Sequence, residues 1–130
     1  MADKKEVFVV EVVLKLNLKA EDIDDIMVGS LEGGCTGYWC SDVDVKGKRK
    51  AEYASHEISR GGTLVFQDCE EDKTYELDLE KFLKGFKTWV EKGYDHNNAV
   101  SAEEVDTCRI DAIAADGIVQ CALFGDIIYG

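Results

Sequence analysis

TLVFQDCEEDKTYELDLEKFLKGFKTWVEKG, residues 63–93, decides the fold class. Thr63 to Gln67 and Lys73 to Leu77 are two β-prone apolar runs around the polar turn Asp68-Cys69-Glu70-Glu71-Asp72, which predicts a hairpin. Then the period changes. Asp78 suits an N-cap, and Leu79, Phe82, Leu83, Phe86, Trp89 and Val90 recur at helical spacing up to Gly93. A hairpin running straight into an amphipathic helix, without strand–helix–strand alternation, points to an α+β fold.

The rest of the chain extends that reading. Val10, Val12, Leu14, Leu16 and Leu18 alternate with Glu11, Lys15 and Asn17, the period of a half-buried strand, here expected at the centre of the sheet. Glu21 to Glu32 carries Ile23, Ile26, Met27 and Leu31 at helical spacing, with acids in its first turns and Gly33-Gly34 to end it. Tyr38 to Val45 reads as another strand, leading into the basic loop Lys46-Gly47-Lys48-Arg49-Lys50. Ala51 to Ser59 has room for one or two helical turns before Gly61-Gly62, and Gly93 to Asp106 reads as a surface loop. Ile110 to Phe124 is the last helix, with Asp111 near its start and Gly125 just past its end. Its small residues admit close approach of another element, and Ile127, Ile128 and Tyr129 add a terminal strand or plug the core. The expectation is one α+β domain over residues 1–130, an antiparallel or mixed sheet of about four to five strands packed with three helices.

Composition narrows the partners. Fifteen Lys and Arg stand against 27 Asp and Glu, a formal charge of −12, so bare nucleic acid and anionic membranes repel the surface while a basic protein groove attracts it. The 45% apolar content supplies a core, and no run of 18 apolar residues offers a membrane span. Lys4 and Lys5 precede an apolar run, but Glu11 and Lys15 interrupt it and no small-residue cleavage site follows; the chain reads as cytoplasmic. Five cysteines in such a chain are expected to be free thiols, mostly buried.

Several strings occur together: Glu21-Asp22-Ile23-Asp24-Asp25-Ile26-Met27, Leu31-Glu32-Gly33-Gly34, Tyr38-Trp39-Cys40, Glu52-Tyr53-Ala54-Ser55, Ile58-Ser59-Arg60-Gly61-Gly62-Thr63-Leu64, Asp106-Thr107-Cys108, Ile110-Asp111 and Ala122-Leu123-Phe124-Gly125-Asp126. In these the chain resembles a family of small uncharacterised proteins of gut Gram-positive bacteria and their phages and mobile elements. The resemblance implies a genomic setting in which host-takeover and counter-defence roles are common. It implies no activity, cofactor or catalytic residue.

Four acidic clusters are candidate contact points: Glu21/Asp22/Asp24/Asp25, Asp42/Asp44, Glu70/Glu71/Asp72 and Glu103/Glu104/Asp106. Gathered on one face, such carboxylates imitate duplex phosphates and fit a nucleic-acid-binding groove on another protein; scattered, they are a solvated surface. None has calcium-loop spacing. Tyr38 and Trp39, adjacent in a strand, should face opposite ways, the outward one serving as an interface anchor. The binding residues expected are therefore Glu21, Asp22, Asp24, Asp25, Tyr38, Trp39, Asp42 and Asp44, with no cofactor, metal or catalytic residue called for. The partner expected is a bacterial protein with a basic surface, with no direct nucleic-acid contact and no membrane.

Two alternatives stand beside that reading. Cys35 and Cys40, four residues apart among glycines, could meet His56 in a thiol- or metal-dependent enzyme, although no motif surrounds them. A structural homodimer could use the Tyr38–Val45 strand or the small-residue face of the last helix.

Overall fold

The computed structural model describes residues 4–130, which form three helices, a three-stranded sheet and a two-stranded hairpin. In chain order the elements are α1 (Ala20–Glu32), β1 (Cys40–Lys46), β2 (Thr63–Asp68), β3 (Thr74–Leu77), α2 (Leu79–Glu91), β4 (Val100–Ser101), β5 (Glu104–Val105) and α3 (Ala112–Phe124). Short 3-10 turns at Thr36–Tyr38, Ala54–His56, Ile58–Arg60 and Thr107–Arg109 fill the connections. The hairpin and the helix after it fall where the residue 63–93 pattern puts them. Asp78 caps α2 by accepting the Lys81 N–H at 2.9 Å.

The main sheet is antiparallel in the order β1–β2–β3, so β2 is its centre. Its pleat alternates cleanly. Val45, Leu64 and Leu77 lie in one cross-strand row and Val43, Phe66 and Tyr75 in the next, all on the core side, while Asp42, Asp44 and Glu76 fall on the opposite face. Phe82, Phe86 and Trp89 of α2 are buried beneath the helices, each contributing about 2 kcal/mol relative to exposure.

The innermost element is α3. Seven consecutive residues, Ala115 to Cys121, are buried, as in a helix covered on all sides. It packs against both α1 and α2, and small side chains set how near they come. A Cβ at Gly85 of α2 would collide with the backbone of Ala122, and one at Gly33, just past α1, would collide with Ala112. The close approach expected from the last helix's small residues is thus present, used inside the domain. Gly125 ends α3 at φ 79°, a left-handed cap that L side chains disfavour.

Three expectations change. The sheet has three strands rather than four or five, and two further short strands pair separately within the loop expected over Gly93–Asp106. The last helix starts at Ala112, because Asp106 and Asp111 cap two successive helical pieces where one was expected from Ile110. Most consequentially, Val10–Leu18 is not the central strand. Only Leu16 and Leu18 pack against the core, and one backbone bond, Asn17 N–H to Glu103 C=O at 2.9 Å, ties the segment down. Alternation reports that a strand wants a covered face without naming its cover; in this chain α1–α3 and β1–β3 already cover each other.

Gly85→Ala is expected to lower unfolding stability by about 3 kcal/mol, because α2 must move off α3 to make room. Denaturant melts read this directly, and an unchanged midpoint would show that the helices are not in close contact there.

Candidate functional site

Each expected binding residue has a definite place. Glu21 and Asp25 are exposed on α1, a helix without a single basic residue. Asp22 is spent on structure: its Oδ2 accepts the Lys19 N–H at 2.9 Å and so closes the first turn. Asp24 accepts the Ser59 hydroxyl at 2.5 Å, and Asp25 accepts the Thr107 hydroxyl at 3.0 Å. That second bond joins two acidic clusters, because Thr107 follows Asp106 and the exposed Glu103 and Glu104. Asp42 and Asp44 lie apart from these on the outward face of β1, which packs on β2 rather than on α1.

Tyr38 and Trp39 divide as expected, although they lie in and just after a 3-10 turn instead of within a strand. Tyr38 is 86% exposed. Trp39 is 2% exposed, stacked between Phe66 and Tyr129, so its role is in the core and of the two only Tyr38 lies on the surface.

The ion pairs give the acidic surface its character. Among the described residues, six pairs form: Lys46–Glu76, Lys73–Glu71, Lys84–Glu80, Lys87–Glu91, Lys92–Asp126 and Arg109–Asp106. The carboxylates of α2 and the β2–β3 turn are thereby interleaved with lysines. Glu21 and Asp25 of α1 and Asp42 and Asp44 of β1 form no ion pair with a described residue, although Lys46 shares the outward face of β1 and pairs with Glu76.

Most buried polar groups are bonded to one another and to the backbone. Asp116 accepts from Thr36 Oγ1 at 2.7 Å, Trp39 Nε1 at 2.9 Å and Gln120 Nε2 at 2.7 Å. Gln120 in turn accepts the backbone N–H groups of Ile128 and Tyr129, which seats the C-terminal residues as a plug. Asp68 accepts the N–H groups of Glu71 and Glu70 and the Tyr75 hydroxyl, and these bonds hold its carboxyl below the usual range. The carboxylate in turn pushes Tyr75 up to about 12. Asp126, bonded to the Tyr94 hydroxyl and to Lys92, is drawn down to about 2. Glu57 is fully buried and its Oε1 accepts the Lys50 and Ala51 N–H groups, anchoring the basic loop; its Oε2 lies against Gly62.

Sequence reasoning missed this network. One signal was available: Asp116 and Gln120 stand four residues apart inside an otherwise apolar helix, where buried polar groups must find partners.

The thiols are distributed differently from expectation. Cys40 and Cys121 are buried, Cys35 is half-buried, and Cys69 and Cys108 are exposed. Burial raises the Cys40 thiol and pushes Cys121 up to about 11, away from the thiolate that nucleophilic chemistry needs. His56 packs edge-on against Tyr53. Among the described residues no group of three His, Cys, Asp or Glu side chains is placed to hold a metal ion.

Two hollows remain. A groove of about 930 Å³ runs between Val12, Leu14, Leu16 and Leu18 on one side and Leu83, Phe86 and Val90 of α2 on the other; Leu83, expected in the core, is exposed along it. A smaller hollow of about 280 Å³ is bounded by Trp89, His96, Arg109, Asp111 and Ile127.

Two outcomes follow from these environments. Because the folded value of Asp126 is depressed, its contribution to stability is complete above about pH 4 and is lost as pH falls through about 2. Tyr75 works oppositely: its contribution is complete below about pH 10 and is lost as pH rises through about 12. In thermal melts, the deficit of Tyr94→Phe relative to the unmodified chain should shrink between pH 4 and pH 2; a constant deficit would contradict the assignment. Thiol labelling of the native protein should modify Cys69 and Cys108 rapidly and Cys40 and Cys121 only on unfolding. One hyper-reactive buried thiol would reinstate a nucleophilic role.

Among the described residues no helix is long and apolar enough to cross a membrane. Comparison with known proteins finds no protein-family profile, curated protein or solved structure that matches the chain.

Proposed function

We propose that this chain is a non-enzymatic acidic binding protein that docks on a basic surface of a bacterial protein. One observation carries the reading: α1 presents Glu21 and Asp25 with no basic residue along its length and no ion pair to a described residue, whereas Glu71, Glu76, Glu80, Glu91, Asp106 and Asp126 are each matched with a lysine or arginine. The bond from Thr107 to Asp25 seats the residue after Asp106 against α1; Asp106 itself is paired with Arg109, and the exposed Glu103 and Glu104 of the same stretch are read as extending the α1 field. Tyr38 and the Asp42/Asp44 pair extend the set of contact residues on other parts of the surface.

Unpaired carboxylates of this kind raise the rate of encounter with a basic groove and set orientation more than they add affinity. The resemblance to proteins of phages and mobile elements favours a counter-defence or host-takeover factor, with carboxylates in place of duplex phosphates. The net charge of −12 supports a protein groove, rather than nucleic acid itself, as the target.

Pull-down from bacterial lysate tests the reading. A specific partner should be recovered at low ionic strength and lost as salt is raised, because the field is screened within about 10 Å at 0.1 M. Glu21→Gln with Asp25→Asn, which leaves the structural Asp22 and Asp24 in place, should weaken binding about tenfold at low salt. Binding indifferent to salt, or no specific partner at low ionic strength, would overturn the proposal.

A further inference from the structure

The segment from Val7 to Leu14 is the least covered apolar stretch of the described chain. Val7, Phe8, Val9, Val10, Val12, Val13 and Leu14 are between 54% and 92% exposed, on odd and even positions alike. Together they present an area on the order of the 800 Å² per partner that a standard interface buries. An apolar patch of that size on a small protein marks an interaction surface. Between residues 7 and 16 no backbone group bonds to another described backbone group, so a strand-forming sequence stands without a sheet.

We infer that the occupant is a second copy of this chain, whose own arm pairs antiparallel with this one about a two-fold axis at Val13. The pattern of residues is self-complementary in that register. Positions summing to 26 stand opposite one another, so Glu11 faces the Lys15 of the second copy twice over, giving two cross-strand ion pairs related by symmetry. On the even face every pair is apolar: Phe8 with Leu18, Val10 with Leu16, Val12 with Leu14. Neighbouring symmetric registers lose this. A one-residue shift of each strand sets Glu11 against Val13 or Asn17, and a two-residue shift toward the start sets Glu11 against Glu11.

Two further observations agree with the register. Asn17 already donates its N–H to Glu103, which commits the odd-residue edge of the arm to the β4–β5 hairpin and leaves the even-residue edge open. With Val13 on the axis as a non-hydrogen-bonded pair, the bonds across the dimer come from Val12 and Leu14, on that open edge. The same register also fills the groove. Phe8 and Val10 of the second copy stand beside Leu18 and Leu16, on the face where those residues and Leu83, Phe86 and Val90 line the 930 Å³ hollow. One arm thus supplies the strand, and the other protomer's α2 supplies the cover that neither chain gives itself.

The surface differs from the strand and helix faces on which the sequence suggested a homodimer. It also leaves the α1 carboxylates free, so it stands independently of the proposed function.

Light scattering and sedimentation of the full chain across a concentration series test it. A particle of twice the chain's mass should form, and Glu11→Lys or Lys15→Glu alone should raise its dissociation constant about tenfold by setting like charges opposite. Combining the two restores opposite charges and should restore the dimer. In a background with Cys69→Ser and Cys108→Ser, Val13→Cys should give a disulfide-linked dimer on oxidation much faster than Val10→Cys, since only position 13 faces itself. A chain that stays monomeric at all concentrations overturns the inference. So does a dimer indifferent to both charge reversals, or equal cross-linking at positions 10 and 13. Circular dichroism of each variant should keep the helical signal and its thermal midpoint at matched, monomeric concentration, because the substituted side chains lie outside the core.

Discussion

The close seating of α3 between α1 and α2 is the constraint on which the rest of the molecule depends. Gly85 and Ala122 meet where no larger pair would fit, and Gly33 and Ala112 do the same at the other helix. A helix covered on all sides cannot leave a polar side chain unpaired. Asp116 and Gln120 meet that demand by recruiting Thr36, Trp39 and the backbone of Ile128 and Tyr129. One buried helix thus fixes the entry to β1, the position of the core tryptophan and the path of the C-terminal residues. Of the residues considered as contact sites, Trp39, Asp22 and Asp24 are used by this frame, while Glu21, Tyr38, Asp42 and Asp44 are displayed on its surface.

Legibility in the sequence followed the range of the interaction. Local signals read well: the turn after Asp68, the cap at Asp78, the apolar stripe of α2 and the stop at Gly125 each depend on residues within a few positions. Tyr38 and Trp39 divided between surface and core as adjacent residues should. What failed was non-local. The alternation through Val10–Leu18 specifies a strand but carries no information about which backbone will pair with it, and within one chain only Asn17 finds a described backbone partner, at Glu103. The two strands inside the 93–106 loop are two residues each, too short to register as a pattern.

The candidate site was legible as charge and illegible as geometry. Four acidic clusters are visible in the sequence, but a carboxylate that caps a helix, such as Asp22, looks the same there as one that faces a partner, such as Glu21. The distinction lies in long-range bonds, above all Thr107 to Asp25, across 82 positions of the chain. Leu83 shows the same limit for apolar residues. At helical spacing it belongs to the inner face of α2, yet it lies exposed along the groove, where the arm leaves it uncovered.

These observations describe a domain whose core closes without Val7–Leu14, the segment for which a second copy of the chain is proposed as cover. Amide hydrogen exchange on the full protein at high and low concentration tests this most directly. Amides of α3 should be the most protected at both concentrations, while those of Val10, Val12 and Leu14, on the edge that pairs across the dimer, exchange freely in dilute solution and slow markedly when the protein is concentrated. Protection of these three amides that persists at every dilution would mean the arm packs within its own chain. Free exchange at every concentration would mean that no second copy covers it. Either result would contradict the account.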